Sequence, residues 1–156
     1  MGLKLYLTLL IVGWEGFSEM VGYQTKLGQY LKKRLMENDW LILNDTPLPI
    51  ISFTDERFKS DERFTKSIVQ NIVESKKSWI SNYPVNGISS IRVCISNYSS
   101  TENDVNQLVE ELNIEREKYR IEKSKPSLKE ALHEFNTGYL LTAILAIFFL
   151  VIGSSS

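Results

Sequence analysis

Hydrophobic positions are spaced differently along this chain, and each spacing predicts its own element. The first run, Leu3 to Val12, is apolar almost all round, which suits a buried helical segment. Gly13 and Gly16 interrupt it. From Phe17 the apolar residues recur three and four apart, at Met20, Tyr23, Leu27, Tyr30, Leu31 and Leu35, with Lys26, Lys32, Lys33, Arg34 and Glu37 opposite. That period predicts a long amphipathic helix, which Asn38-Asp39 ends. Trp40–Leu43 and Pro49–Phe53 then read as short strands, with Asp45, Thr46 and Pro47 supplying the turn between them. So short a connection predicts an antiparallel pair.

Asp61 to Glu74 carries Phe64, Ile68 and Ile72 beside Val69 and Val73, two adjacent stripes of a second amphipathic helix. Ser78–Ser81 reads as a short strand closed by Pro84. In Ser90–Ser96 the alternation puts Ile91, Val93 and Ile95 on one face and Arg92, Cys94 and Ser96 on the other. Thr101 then has the form of a helix cap, with Glu102 and Asp104 in the first turn complementing the dipole. Val105, Leu108, Val109 and Leu112 give that helix its buried stripe. The order α-β-β-α-β-β-α predicts an α+β fold, a small antiparallel sheet with helices packed on it.

The pattern changes after Asn113. Ile114 to Lys125 mixes both signs of charge and reads as a frayed helix or linker, which Pro126 breaks; Ser127–Glu130 can restart a helix. Tyr139 to Ile152 is apolar except for Thr142 and predicts a C-terminal helix. Its 14 residues would span about 21 Å, short of a hydrocarbon core of about 30 Å. Three readings stay open: a tail anchor reaching back to Phe135, a buried or partner-docking helix, or sequence under no selection to fold. The divisions expected are a helix over 1–16, a small domain over 17–113, a charged linker over 114–138 and an apolar tail over 139–156.

Composition narrows the function. A length of 156 residues is enough for one domain with a real core. Eighteen basic and 19 acidic residues give a net charge of −1, without the clustered basic excess that nucleic-acid binding needs. Cys94 is the single cysteine and His133 the single histidine, so no disulfide framework and no cysteine- or histidine-built metal site is expected. Leu5–Val12 behind Lys4 looks like a weak signal peptide, but Gly13-Trp14-Glu15-Gly16 offers no small-x-small cleavage site, and Tyr6 breaks the myristoylation pattern. A reducing, cytoplasmic setting is therefore expected. Asn44-Asp45-Thr46 and Asn97-Tyr98-Ser99 would be glycosylation acceptors only outside it. Cys94 reads as a buried strand cysteine, and Trp14, Trp40 and Trp79 as core or interface anchors. Asp55-Glu56 and Asp61-Glu62, among Arg57, Lys59 and Arg63, read as solvated charge.

Ile91-Arg92-Val93-Cys94-Ile95-Ser96-Asn97, followed by Ser100–Val105 and Leu108–Leu112, resembles the C-terminal end of the group II pyridoxal-phosphate-dependent amino-acid decarboxylases. Glutamate decarboxylase and aromatic amino-acid decarboxylase belong to that family. Upstream, Leu3-Lys4-Leu5-Tyr6 followed by Gly13-x-x-Gly16-Phe17 resembles the passage into the family's small domain. Trp40–Asn44 and Leu48–Phe53 resemble its first two strands. The resemblance is colinear over residues 3 to 113. It implies the C-terminal domain of a fold-type I enzyme, pyridoxal phosphate as cofactor, an amino-acid substrate and a dimer. It also implies a large domain that bears the Schiff-base lysine, usually directly after a histidine. No His-Lys pair occurs here, since Glu134 follows His133.

One role carries over by resemblance: Arg92 matches the arginine that receives the substrate α-carboxylate. A guanidinium offers a carboxylate a planar, bidentate fork and stays charged when partly desolvated. The other reading of Arg92 is a strand arginine paired with Asp or Glu across the sheet. Tyr98 is a candidate neighbour of the same site. For the whole chain, the first reading is part of a decarboxylase, inactive without a large domain or decarboxylase subunit. The alternatives are a non-catalytic interaction module, tethered to a membrane through Tyr139–Ile152, and an aminotransferase of the same fold. On the first reading Leu3–Val12 packs against the large domain, and the isolated chain self-associates.

Overall fold

The apolar run and the amphipathic helix after it form one element, α1 (Gly2–Glu37), bent at Gly13, where φ is 73° and ψ 173°. Only glycine adopts such a conformation without strain. A Cβ at Gly13 would meet nothing within 4 Å, so conformation and not space requires the glycine. Beyond the bend, Leu27, Leu31 and Leu35 are buried. Before it, Leu3, Leu7, Leu10, Ile11 and Val12 stand exposed, as does Trp14 directly after it. The buried environment expected for Leu3–Val12 is not provided by the described part of this chain. Asp39, with a φ of 59°, stops α1 and lets the Trp40 N–H return to the Leu35 carbonyl at 3.0 Å.

The computed structural model describes residues 2–125. After α1 come β1 (Leu41–Ile42), β2 (Ile50–Thr54), a 3-10 turn (Glu56–Phe58), α2 (Glu62–Glu74), β3 (Ser81–Val85), β4 (Ile88–Cys94) and α3 (Glu102–Ser124). The four strands pair antiparallel in the order β1-β2-β4-β3. Although β1 is short, Asn44 extends its pairing: the side chain accepts from the Ser52 N–H at 2.7 Å and donates to the Ile50 carbonyl at 2.8 Å.

The third strand lies further along than its composition suggests. β3 begins at Ser81, where the expected Ser78–Ser81 strand ends, and it runs through Pro84 instead of stopping before it. Two causes combine. Asn86 and Gly87 both have positive φ, 50° and 80°, as a two-residue type I′ hairpin requires. That turn fixes the register Val85↔Ile88 and Tyr83↔Ser90. Pro84 is tolerated because β3 is an edge strand, where a missing N–H costs no ladder bond.

Register also sorts the sheet's two faces. Ile51 pairs with Val93 and Phe53 with Ile91. These four join one core cluster with the stripes of α1, of α2 (Phe64, Ile68, Ile72) and of α3 (Val105, Leu108, Val109, Leu112). Trp40 packs edge-on to Phe53, with ring centroids 5.3 Å apart. Where α1 crosses the start of β2, Gly28 allows close contact: a Cβ there would lie 2.8 Å from Pro49 Cα. The opposite face carries Ile50, Ser52, Ser81, Tyr83, Ser90, Arg92 and Cys94.

At the start of α3 the backbone N–H and hydroxyl of Thr101 both donate to Asp104, at 2.7 and 2.8 Å, a reciprocal cap of the expected kind. The charged stretch from Ile114 is helical up to Ser124, where a frayed helix or linker was expected. Pairs such as Lys118–Glu115 at 2.6 Å hold its surface. The first compact unit ends at Tyr119. Among the described residues no helix is long and apolar enough to cross a membrane. The tail Tyr139–Ile152, the 126–138 segment and His133 lie outside the described residues.

Candidate functional site

Arg92 sits on β4, an interior strand, opposite Ser52 of β2 and Ser81 of β3. Alternation along β4 points it away from the core, as its neighbours Ile91 and Val93 point in. Its Nε donates to Ser81 Oγ at 3.3 Å. The guanidinium carbon lies 4.8 Å from the centre of the Tyr83 ring, within the range of a cation–π contact. Tyr83 is in turn part of a fixed hairpin, because the Ser90 hydroxyl donates to its carbonyl. Both cross-strand partners of Arg92 are serines, and among the described residues no carboxylate forms an ion pair with it. The cross-sheet acidic partner of the alternative reading is therefore not found there. The terminal nitrogens of the fork make no hydrogen bond to the described residues.

A recess of about 360 Å³ opens beside this group, lined by Ile50, Trp79, Ile80, Ser81, Arg92, Cys94 and Ser96. A second hollow, of about 520 Å³, shares Trp79, Cys94 and Ser96 with the first and continues toward Lys77, Asn97 and Asp104. One expectation changes here, and another narrows, since the tryptophans were expected as core or interface anchors. Cys94 is exposed, not buried, because it shares the face of Arg92 and no described helix covers that face. Trp79 is 83% exposed and Trp14 75%, so only Trp40 belongs to the core.

Tyr98 does not approach Arg92 through this recess. It lines a separate groove of about 540 Å³ along α1 with Thr8, Val12, Glu19, Met20 and Tyr23. The loop that carries Tyr98 is tied to α1 at both ends. Gln24 donates to the Ser96 carbonyl at 2.9 Å, and the Tyr23 hydroxyl to the Ser100 carbonyl at 3.0 Å.

In a second charged cluster Glu56, Arg57, Lys59, Glu62 and Arg63 are exposed, as expected of solvated charge, and only Asp55 departs from that expectation. Asp55 is 2% exposed. Its carboxylate caps the 3-10 turn by accepting from the Arg57 N–H at 2.8 Å, and it takes the Arg57 guanidinium at 3.0 and 2.6 Å. Arg116 of α3 approaches to 3.5 Å. Burial by itself would raise the Asp55 carboxyl, but the Arg57 hydrogen bonds and the charges of Arg57 and Arg116 outweigh it and hold the pKa low. Arg116 is pushed down, chiefly by its own burial. It stacks 4.6 Å from the Trp40 ring centre and donates to the Asn38 carbonyl at 2.9 Å and to Asn113 at 3.1 Å. Asn113 also accepts from the Trp40 indole at 3.0 Å. These bonds fasten α3 to the ends of α1 and β2, which is structural work. No sequence signal marked this cluster, since it joins residues about sixty apart in the chain.

Among the described residues no group of three or more His, Cys, Asp or Glu is placed to hold a metal ion. The arrangement thus defines an α+β domain with helices on one sheet face and, on the other, an arginine fork beside a shallow, largely uncharged recess. The same fold occurs in solved amino-acid decarboxylases. The Catharanthus roseus tryptophan decarboxylase in complex with L-tryptophan matches with a TM-score of 0.65 at 14% identity, over 74% of this chain and 26% of that one. The glutamate decarboxylase domain of the Vibrio parahaemolyticus diaminobutyrate-pyruvate transaminase and L-2,4-diaminobutyrate decarboxylase matches with 0.63 at 16% identity, over 74% and 26%. Oryza sativa TDC with PLP and tryptamine matches with 0.66 at 12% identity, over 76% and 27%. At these identities the likeness is one of fold. The chain spans about a quarter of the length of the structures it matches. No protein-family model matches the chain, and no curated protein does.

Proposed function

We propose that this chain is the C-terminal part of a pyridoxal-phosphate-dependent amino-acid decarboxylase, a carboxy-lyase, and that Arg92 holds the substrate α-carboxylate. The observation that carries the reading is Arg92 itself: an interior-strand arginine with Nε and one ring face engaged and no ion-pair partner among the described residues. The fold shared with decarboxylases supports it, as does the resemblance at Ile91–Asn97.

The chemistry assigned to this chain is positioning. A fork held from behind by Tyr83 and from the side by Ser81 presents its terminal nitrogens in a fixed plane. A carboxylate bound there is oriented as well as neutralised, which lowers the barrier to cleaving the bond beside it. Pyridoxal phosphate, when bound in the complete enzyme, supplies the electron sink. The residues around Arg92 do not make its site. None of Ile50, Trp79, Ile80, Ser81, Cys94 and Ser96 is a lysine, and Arg92 is the one cation among the described residues that line the recess. Cofactor and Schiff-base lysine belong to a large domain outside this sequence, on a decarboxylase subunit with which this chain assembles, in the cytoplasm and as part of a dimer.

The test is decarboxylation by the complex isolated from its own cells, measured as CO2 release from amino acids. Arg92→Lys keeps the charge but loses the fork. The expected result is a fall in kcat/KM of about a hundredfold, with the larger part in KM. Unchanged kinetics would remove Arg92 from the site.

A further inference from the structure

The groove along α1 that Tyr98 lines has no part in the reading of Arg92. It crosses the bend at Gly13, with Val12 before the bend and Gly16, Glu19, Met20 and Tyr23 after it. Its walls are mostly apolar, and Glu19 is the one charged group among the described residues that line it. We propose that this groove is a docking site for a lysine or arginine side chain of the polypeptide that covers the start of α1. Met20 and the Tyr23 and Tyr98 rings take its methylene stem, and the Glu19 carboxylate takes its charge. The inference rests on the reading of the chain as one part of a larger decarboxylase and adds the chemistry of the surface through which the parts meet.

Three observations point this way. First, the floor of the groove depends on glycine. A Cβ at Gly16 would lie 2.6 Å from Val12 Cγ1, so any larger residue there would displace the Val12 side chain. Second, the aromatic wall is set before a partner arrives. The Tyr23 hydroxyl donates to the Ser100 carbonyl at 3.0 Å and Gln24 to the Ser96 carbonyl at 2.9 Å. These bonds anchor the loop on both sides of Tyr98 and leave that residue 74% exposed. A preset aromatic loses little freedom on docking. Third, charge selects the occupant. Glu19 has no ion pair among the described residues. An entirely apolar segment would strip water from its carboxylate without recompense, and an acidic one would be repelled. A long basic side chain meets both needs, with its stem on the apolar wall and its head at the carboxylate, and the ring faces add cation–π attraction. A polypeptide is favoured over a free amine because Leu7, Leu10 and Ile11, beside Val12 in α1, are exposed as well, and a small ion would leave them in water.

Fluorescence anisotropy of the full chain tests this with two labelled helical peptides of alanine and leucine that differ at one central position, lysine in one and glutamate in the other. The lysine peptide is expected to bind about tenfold more tightly. Self-association of the chain competes with both peptides alike, so their ratio is the readout. Glu19→Gln should bring the ratio within about twofold, and Glu19→Lys should reverse it. Tyr98→Ala should weaken the lysine peptide about fivefold. Neither Glu19 nor Tyr98 belongs to the core cluster, and circular dichroism checks that the variants fold. Equal binding of the two peptides, or a lysine preference that survives Glu19→Gln, overturns the proposal. So does full displacement of the lysine peptide by an equal concentration of n-butylammonium, which would make the groove a small-amine site. In the complex isolated from its own cells, Glu19→Lys should lower recovery of the large domain about tenfold. Undiminished recovery of a cofactor-bearing large domain would overturn the docking site and leave the decarboxylase reading standing. A peptide ratio that follows Glu19, in a chain whose native complex holds no cofactor, would overturn that reading and sustain the groove as a site for a basic side chain.

Discussion

Two arginines show how the same side chain does opposite work in this domain. Arg116 is almost fully buried, and its charge is spent on Asp55, the Asn38 carbonyl, Asn113 and the Trp40 ring. Arg92 is only partly buried and keeps the end of its fork free of the described residues. Removing the partner of a buried charge is costly, so Asp55→Asn should destabilise the domain by about 3 kcal/mol, read as a lower urea midpoint. The acid dependence has a definite sign. Asp55 is held below its ordinary value, so its contribution is complete above the unfolded carboxylate value of about 3.9 and is lost as pH falls through the lower folded value. Glu62, Asp104 and Glu115 are also held low and act in the same direction. The urea midpoint should be level from neutrality to about pH 5 and fall below it, and Asp55→Asn should flatten part of that fall. An equal slope in both proteins would show that the cluster does not titrate on unfolding.

At the scale of elements, the hairpin that carries Arg92 and Tyr83 depends on one turn. Gly87 holds a φ of 80° with open space around its missing Cβ, so Gly87→Ala meets conformational strain alone. It should cost about 1 kcal/mol or more in urea unfolding and should lower carboxylate binding through loss of β3–β4 register. Elements with strong internal periodicity were readable from their residues: Leu27, Leu31 and Leu35 in α1, Phe64, Ile68 and Ile72 in α2, and Ile91 and Val93 in β4 with Ile95 just past its end are all buried. β3 was misread because Trp79 and Ile80 have strand-like composition, whereas pairing is set by Asn86-Gly87, a stronger local signal eight residues downstream of Ser78. The helical course of α3 past Asn113 was hidden for a related reason. Its aliphatic stripe ends at Leu112, and packing then passes to Arg116, which reaches Asp55 and Asn38, and to the Tyr119 ring beside Phe58 and Phe64. The candidate site divides the same way. Arg92 and its face were legible from alternation, but its Tyr83 and Ser81 contacts required the true β3 register, and the exposure of Cys94 required knowing that no described helix covers that face.

At the scale of the whole molecule, the start of α1 leaves an apolar surface uncovered by the described residues. Leu3, Tyr6, Leu10 and Ile11 before the bend at Gly13, and Trp14 just after it, present exposed apolar side chains on α1, a feature of the kind that marks an interface. On the proposed reading a large domain covers it. The isolated chain should therefore sediment as associated species, and Leu10→Glu with Ile11→Glu should return it toward monomer. The unfolding midpoint should be little changed, since neither residue is in the core cluster. A dilute, monodisperse monomer without these changes would argue that the patch needs no partner.

The central claim, that this domain works as one part of a cofactor-bearing decarboxylase, is tested most directly by isolating the protein from its own cells with an antibody against the domain. The masses of the associated polypeptide and the absorbance of any bound cofactor are then recorded together. The account predicts a large decarboxylase domain, carrying pyridoxal phosphate, in stable association with these residues. Recovery of the chain without a large domain and without cofactor would contradict it.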